Sequence, residues 1–168
     1  MSSAASNNLD DDAVMPIQPR LEGSVLHRPV YVDRPVVMVV DDDRVTAEMY
    51  SLSLEAAGFK TIPLSDVSSI FLAIEAEIPD VVVLDFHLGG DISGVNVLEI
   101  LRLDPRTSNV IAFILSNHPG DRDGQVDRAF SAGAAAWLLK VKTSPAQLTS
   151  RVTQALASTN AAEASNPV

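Results

Sequence analysis

The chain has 168 residues, enough for one domain with flanking segments, and 46% of them are hydrophobic, which supports a real core. A formal net charge of −10 with only 12 Lys and Arg argues against a nucleic-acid partner, because phosphate binding needs a basic surface. The absence of cysteine excludes disulfides, thiolate metal sites and cysteine nucleophiles, and fits a cytoplasmic chain.

Residues 1–34 hold a Ser/Asn-rich start and an acidic run without apolar periodicity, and read as an N-terminal extension, mostly disordered. Within it, Val25, Leu26, Val30 and Tyr31 could pack along the domain as an extended strip. It has no basic stretch followed by an apolar one, and no apolar run approaches the roughly 18 residues of a membrane span, so no membrane partner is expected.

The domain is expected over 35–157. Its first strand is "VVMVV", residues 36–40, which runs directly into Asp41, Asp42 and Asp43. Three adjacent carboxylates at the end of a buried strand repel one another, so something must compensate them. A helix follows, with Val45, Met49, Leu52 and Ala56 on the face expected to turn inward. Gly58 suits its C-terminus, "KTIPL" at 60–64 reads as the second strand, and Ser65 is placed to cap a second helix through Val67, Ile70, Phe71 and Ile74. The third strand is "VVVLD" at 81–85, the fourth "VIAFIL" at 110–115 and the fifth "AAWLL" at 135–139. Gly133 ends the helix before the fifth strand. Thr143 or Ser144 caps the last helix, with Pro145 in its first turn and Leu148, Val152 and Leu156 facing inward. Residues 158–168 are small and polar and read as a C-terminal tail.

The first, third and fourth strands are continuously apolar, the mark of strands covered on both faces of a parallel sheet. Five strands alternating with helices fold most simply as one doubly wound α/β sheet, a (βα)5 chain, with right-handed crossovers. Ligands of such sheets bind beyond the carboxyl ends of the strands. Those ends carry Asp41–Asp43, Asp85, Ser116 and Lys140. Asp43 stands where a helix cap is needed, and a lone Ser or Lys at a strand end is ordinarily a turn or solvated residue; their coincidence is the signal. Carboxylates grouped with one ammonium suit a hard divalent cation such as Mg2+, which completes its shell with water and phosphate oxygens. Asp85, alone at the end of an apolar strand, is the candidate nucleophile toward phosphorus, and the loop "GGDISG" behind it leaves access for a donor.

The pieces "VVMVVDDD", "PDVVVLDFHLGGDISGVNVL", "VIAFILSN" and "SAGAAAWLLK" together resemble the receiver domain of two-component response regulators, in the family's order and near its spacing, from about Pro35 to Ala157. The resemblance implies a flavodoxin-like five-stranded parallel sheet of order 2-1-3-4-5. It implies that Asp85 accepts a phosphoryl group from a phosphohistidine on a histidine kinase or histidine phosphotransfer protein. Asp41 and Asp42 match the acidic pair that with Asp85 holds Mg2+, and the His87 backbone carbonyl matches the position completing the metal shell. Ser116 and Lys140 match the hydroxyl and the cation that meet the phosphoryl oxygens, and Trp137 the aromatic whose rotamer follows the hydroxyl. Taken alone, Trp137 reads as a packed core aromatic. No enzymatic activity beyond autodephosphorylation follows from the resemblance.

The sequence also departs from that pattern. Val141 stands where proline usually follows the lysine, so a trans bond is expected there. Asn117 replaces a small residue, and "NHPGDRDG" lengthens the next loop. His87 and His118 both fall near the site, where they are read as flanking the incoming water and tuning the lifetime of the phosphoaspartate, with a transition-metal pair ranking below. Output is expected through contacts with a downstream protein, and the sequence leaves room for a homodimer. The departures keep a second reading open, a non-phosphorylated pseudo-receiver acting as a binding module. An aspartate-nucleophile phosphatase ranks below both, since the position two residues after Asp85 is His87 rather than an acid.

Overall fold

The computed structural model describes residues 34–120 and 123–164. The expected disordered extension up to residue 33, with its strip through Val25, Leu26, Val30 and Tyr31, lies outside the described residues. So do the last four residues.

The described chain alternates strands and helices: β1 (Val36–Val40), α1 (Arg44–Ala56), β2 (Lys60–Leu64), α2 (Val67–Ala76), β3 (Val81–Asp85), α3 (Gly94–Leu103), β4 (Ile111–Ser116), α4 (Gln125–Ser131), β5 (Ala134–Leu139) and α5 (Pro145–Ala164). All strand pairs are parallel, in the order β2-β1-β3-β4-β5 expected of a flavodoxin-like sheet. Every residue of β1 and β3 is buried, as their unbroken apolar runs require of strands covered on both faces. One half of the core holds Met38, Val40, Val82, Leu84 and Ile114 against α2 and α3; the other holds Val37, Val39, Val81, Val83 and Leu115 against α1 and α5. At about 1.5–3 kcal/mol per fully buried aliphatic side chain, these strands are the most firmly fixed part of the fold. What matters for function is that they hold the strand ends in place.

The helix boundaries follow local chemistry. Asp43 caps α1, accepting from the Val45 N–H and from the Thr46 hydroxyl at 3.1 and 2.7 Å. Ser93 and Asn96 cap each other reciprocally at the start of α3, and Ser144 and Gln147 do the same for α5 ahead of Pro145. Gly58 and Gly133 take the left-handed conformation that ends α1 and α4.

Several expectations need correction. Asp66, not Ser65, caps α2, through the Ser69 N–H at 2.9 Å. The inward face of α1 is Ala47, Tyr50, Ser51 and Leu54, whereas Val45 and Leu52 are 72% and 66% exposed. Small residues at 47 and 51 let the helix approach the sheet closely, and Tyr50 anchors it by donating its hydroxyl to the Thr143 carbonyl at 2.8 Å. On α2 the inward residues are Ile70 and Ile74, while Phe71 faces out. The last helix continues to Ala164, so residues 158–164 of the expected tail are helical.

Candidate functional site

The carboxyl ends of β1 and β3 lie side by side, and the sheet brings Asp41 and Asp85 to one rim. Both are buried, while Asp42 is exposed. Oxygens of all three carboxylates lie within 4.8 Å of one another, the one such acidic cluster among the described residues. Lys140, directly after β5, reaches across β4 and sets its ammonium 2.6 Å from Asp41 Oδ2 and 3.1 Å from Asp85 Oδ1. The pair answers the question raised by the aspartate run: the repulsion is offset by one cation, and offset only in part.

Titration preferences record the same imbalance. Burial pushes the Asp85 carboxyl above its ordinary range, and the charge of Asp41 adds to this, with Lys140 pulling the other way. Burial likewise raises Asp41 against the pull of Lys140. For Lys140, burial works against the charged form, but its contacts with Asp41 and Asp85 prevail and its pKa is raised. Asp41 Oδ1 accepts from the Asp43 N–H at 3.1 Å, whereas the buried Oδ2 has no aligned hydrogen bond and meets only the nearby positive charge. Three converging carboxylates, one oxygen lacking an aligned donor and an excess of negative charge fit a hard divalent cation. Asp41, Asp42 and Asp85 are the side chains able to hold it.

Ser116 is the last residue of β4, fully buried, one position beyond the Leu115 that pairs with Asp85. Its hydroxyl accepts from the His118 N–H at 3.1 Å, and the His118 carbonyl in turn receives the Trp137 indole N–H at 3.5 Å. Trp137 is half-buried against Phe86, with ring centroids 5.1 Å apart. The residue after the candidate nucleophile thus touches the aromatic on β5, a contact that sequence reasoning missed. An aromatic directly following the strand-ending aspartate was the available signal.

The loop from Asp85 to α3 is a closed turn rather than an open flexible one. Gly89 and Gly90 adopt positive φ, Leu88 donates to the Ile92 carbonyl, and His87 pairs with Ser93 across the turn. Gly94 is needed for a different reason: a Cβ there would stand 2.4 Å from the Asp85 carbonyl oxygen. Among the described residues all peptide bonds are trans, including the one before Val141. Lys140 reaches the carboxylates without the proline.

The response regulator receiver domain profile matches residues 37–153. The chain belongs to the response regulator receiver family. Among curated relatives, this receiver is 39% identical over 71 residues to the DNA-binding response regulator MtrA of Mycolicibacterium smegmatis, covering 42% of this chain and 31% of that one. It is 47% identical over 66 residues to the transcriptional regulatory protein TcrX of Mycobacterium tuberculosis, covering 39% and 28%. With the phosphate regulon regulator PhoB of Pseudomonas aeruginosa it shares 26% over 132 residues, covering 79% and 56%. The receiver therefore spans about a third of the first two relatives and about half of the third. Among solved structures, a candidate response regulator from Chloroflexus aurantiacus J-10-fl matches with TM-score 0.65 at 30% identity, covering 74% of this chain and 98% of that one. A CheY-like receiver domain protein from Methanospirillum hungatei JF-1 gives TM-score 0.65 at 21% identity, covering 74% and 95%, and shares the fold.

The relatives correct one expectation. Net charge argued against any nucleic-acid partner, yet MtrA is named as DNA-binding and TcrX as transcriptional regulatory. The charge of a receiver says nothing about DNA contacts made elsewhere in a regulator. No helix among the described residues is long and apolar enough to cross a membrane.

Proposed function

We propose that this receiver is the phosphoacceptor switch of a two-component phosphorelay in the cytoplasm, with Asp85 taking a phosphoryl group from a phosphohistidine in a Mg2+-dependent reaction. The observation that carries the reading is the Asp85 carboxylate on the sheet rim, between two further aspartates and 3.1 Å from the Lys140 ammonium. An oxygen of Asp85 attacks phosphorus as the P–N bond to the donor imidazole breaks. The electron pair leaves with the nitrogen, which takes a proton from solvent. Lys140 then exchanges its contact with the Asp85 carboxylate for one with a phosphoryl oxygen, and the Ser116 hydroxyl donates to another. Asp41, Asp42 and the His87 carbonyl would hold Mg2+, which neutralises charge on the transferring group. Turnover is limited to hydrolysis of the receiver's own phosphoaspartate, with His87 and His118 flanking the water's approach.

A histidine kinase or phosphotransfer protein has a docking face available. Val45, Met49 and Leu52 form an exposed apolar stripe on α1, which starts two residues after Asp42. Output starts at Ser116: drawn toward the phosphoryl group, its hydroxyl pulls on the His118 N–H and, through the His118 carbonyl, on Trp137. By relation to MtrA, named as DNA-binding, and TcrX, named as transcriptional regulatory, the output of the switch is transcriptional control.

Incubation with a small phosphodonor, or with beryllofluoride, in the presence of Mg2+ while following Trp137 fluorescence tests the reading. A change in the wild type that is lost in Asp85→Asn is expected. No change, or an equal change in Asp85→Asn, would mark the chain as a pseudo-receiver that binds partners without phosphorylation.

A further inference from the structure

Beside the acidic pocket lies a cavity of about 500 Å3 whose lining includes Phe86, His87, His118, Asp123, Gln125 and Trp137. It offers nitrogen donors where the acidic pocket offers oxygens. The two imidazoles face each other with ring centroids 6.1 Å apart and planes at 86°. Both side chains are exposed, but their main chains are held: His87 pairs with Ser93, and the His118 N–H donates to the buried Ser116 hydroxyl at 3.1 Å. The Phe86 ring, its centroid 4.6 Å from that of His87, packs against the imidazole. Two imidazoles on one ion, with metal–nitrogen bonds of about 2.0–2.1 Å, set their ring centroids about 5–6 Å apart, so rotation of the exposed side chains closes the remaining gap.

From this geometry we propose that the side chains of His87 and His118 bind a borderline transition-metal ion of the Zn2+ class, with the remaining positions left for water. Imidazole selects such ions over Mg2+, which prefers oxygen and keeps its waters, so the two neighbouring sites sort cations by ligand chemistry. A bound ion ties the β3–α3 loop to the β4–α4 loop across the mouth of the cavity, beside the route to Asp85. It also fixes His118, the residue that joins Ser116 to Trp137. Zinc is therefore a brake on the pocket, and the site can be titrated on the unphosphorylated protein, so its failure is distinguishable from failure of the phosphoacceptor reading.

The test is a titration of the full chain with zinc chloride under saturating Mg2+, read by Trp137 fluorescence and by competition with a chromophoric zinc chelator. One equivalent should bind, and His87→Ala and His118→Ala should each weaken it by about tenfold or more. Asp42→Asn and His27→Ala should bind zinc as the wild type does. Equal affinity in the two cavity variants overturns the proposal, as does loss confined to Asp42→Asn, which would put the ion in the acidic pocket. Circular dichroism of each variant confirms that the exposed substitutions leave the fold intact.

Discussion

Replacing Asp85 with Asn should make the metal-free protein more stable at neutral pH, although it deletes one partner of a buried ion pair. At an effective dielectric of about 20, unit charges 4.8 Å apart repel by about 3.5 kcal/mol, and Asp41 and Asp42 each offer an oxygen at least that close. The attraction to Lys140 at 3.1 Å is worth about 5.4 kcal/mol on the same basis, and solvent screens the exposed Asp42, so the charge interactions nearly cancel and the cost of burying the Asp85 carboxylate, the foremost cause of its raised pKa, decides the sign. Removing that burial cost leaves, after relaxation, a net stabilisation on the order of 1–3 kcal/mol. The sign agrees with the raised Asp85 carboxyl. An acid whose pKa rises on folding costs stability wherever it is ionised, and that cost disappears as pH falls through the folded value. Lys140 keeps its 2.6 Å contact with Asp41, so the substitution strands no cation.

Thermal unfolding in EDTA at neutral pH measures this directly. At about 2–8 °C per kcal/mol for domains near this size, the variant should melt several degrees above the wild type. Added Mg2+ should close the gap, because ligand binding to the folded state stabilises the wild type more than a variant lacking one ligand. An Asp85→Asn protein that melts at or below the wild type in EDTA, or that gains equally from Mg2+, would refute the claim that uncompensated carboxylate charge dominates this pocket.

Lys140→Met should destabilise by about 3–5 kcal/mol at neutral pH by leaving two buried carboxylates without their cation. That loss should shrink on acidification as Asp41 and Asp85 take up protons, which paired urea titrations at two pH values would detect. Gly94→Ala should cost about 1–3 kcal/mol, because its methyl group meets the Asp85 carbonyl and Leu84 where the backbone cannot yield freely; unchanged urea stability would refute the close approach. Asp66→Ala should weaken the protein above the ordinary aspartate pKa and lose its effect toward acid. The Ser68 hydroxyl foremost, with the Ser69 hydroxyl and N–H, holds this capping carboxyl at about 2, against an ordinary 3.8. Its stabilisation is present above 3.8 and lost as pH falls through about 2, so wild-type and variant acid-unfolding curves should converge there.

The sheet was legible because β1 and β3 have one reading only: unbroken β-branched runs too short for helices and too apolar for a one-sided sheet. Their last residues then locate Asp41 and Asp85 without any knowledge of the loops. The inward face of α1 was not legible by hydrophobicity. Two stripes of helical period run along it, and the more apolar one, Val45–Met49–Leu52, is the one facing solvent. Close approach to the sheet favours Ala47 and Ser51, small residues that a search for large apolar side chains passes over. Phe86 escaped notice because its partner is set by lateral strand order: β4 lies between β3 and β5, and contact with Trp137 requires both side chains to extend across it. Lys140 meets Asp41 and Asp85 despite Val141, since a lysine side chain long enough to cross one strand tolerates a different path in the loop behind it.

That tolerance also separates the rigid half of the site from the half that can move. Asp41 and Asp85 hang from strands with no exposed residue, so phosphoryl chemistry at Asp85 cannot be accommodated by displacing them. Ser116 sits on an equally buried strand end, but its hydroxyl is tied to an exposed residue by a bond of 3.1 Å, and that residue holds Trp137 by one of 3.5 Å. The first has ordinary length, but the second is long for its type and solvent-exposed, so exchanging it costs little. A new acceptor at Asp85 thus acts on a fixed carboxylate and on a loop whose outer bond to Trp137 is the weakest link, and the displacement appears there. On the proposed reading, the direction of signalling from Asp85 toward Trp137 follows from this difference in stiffness.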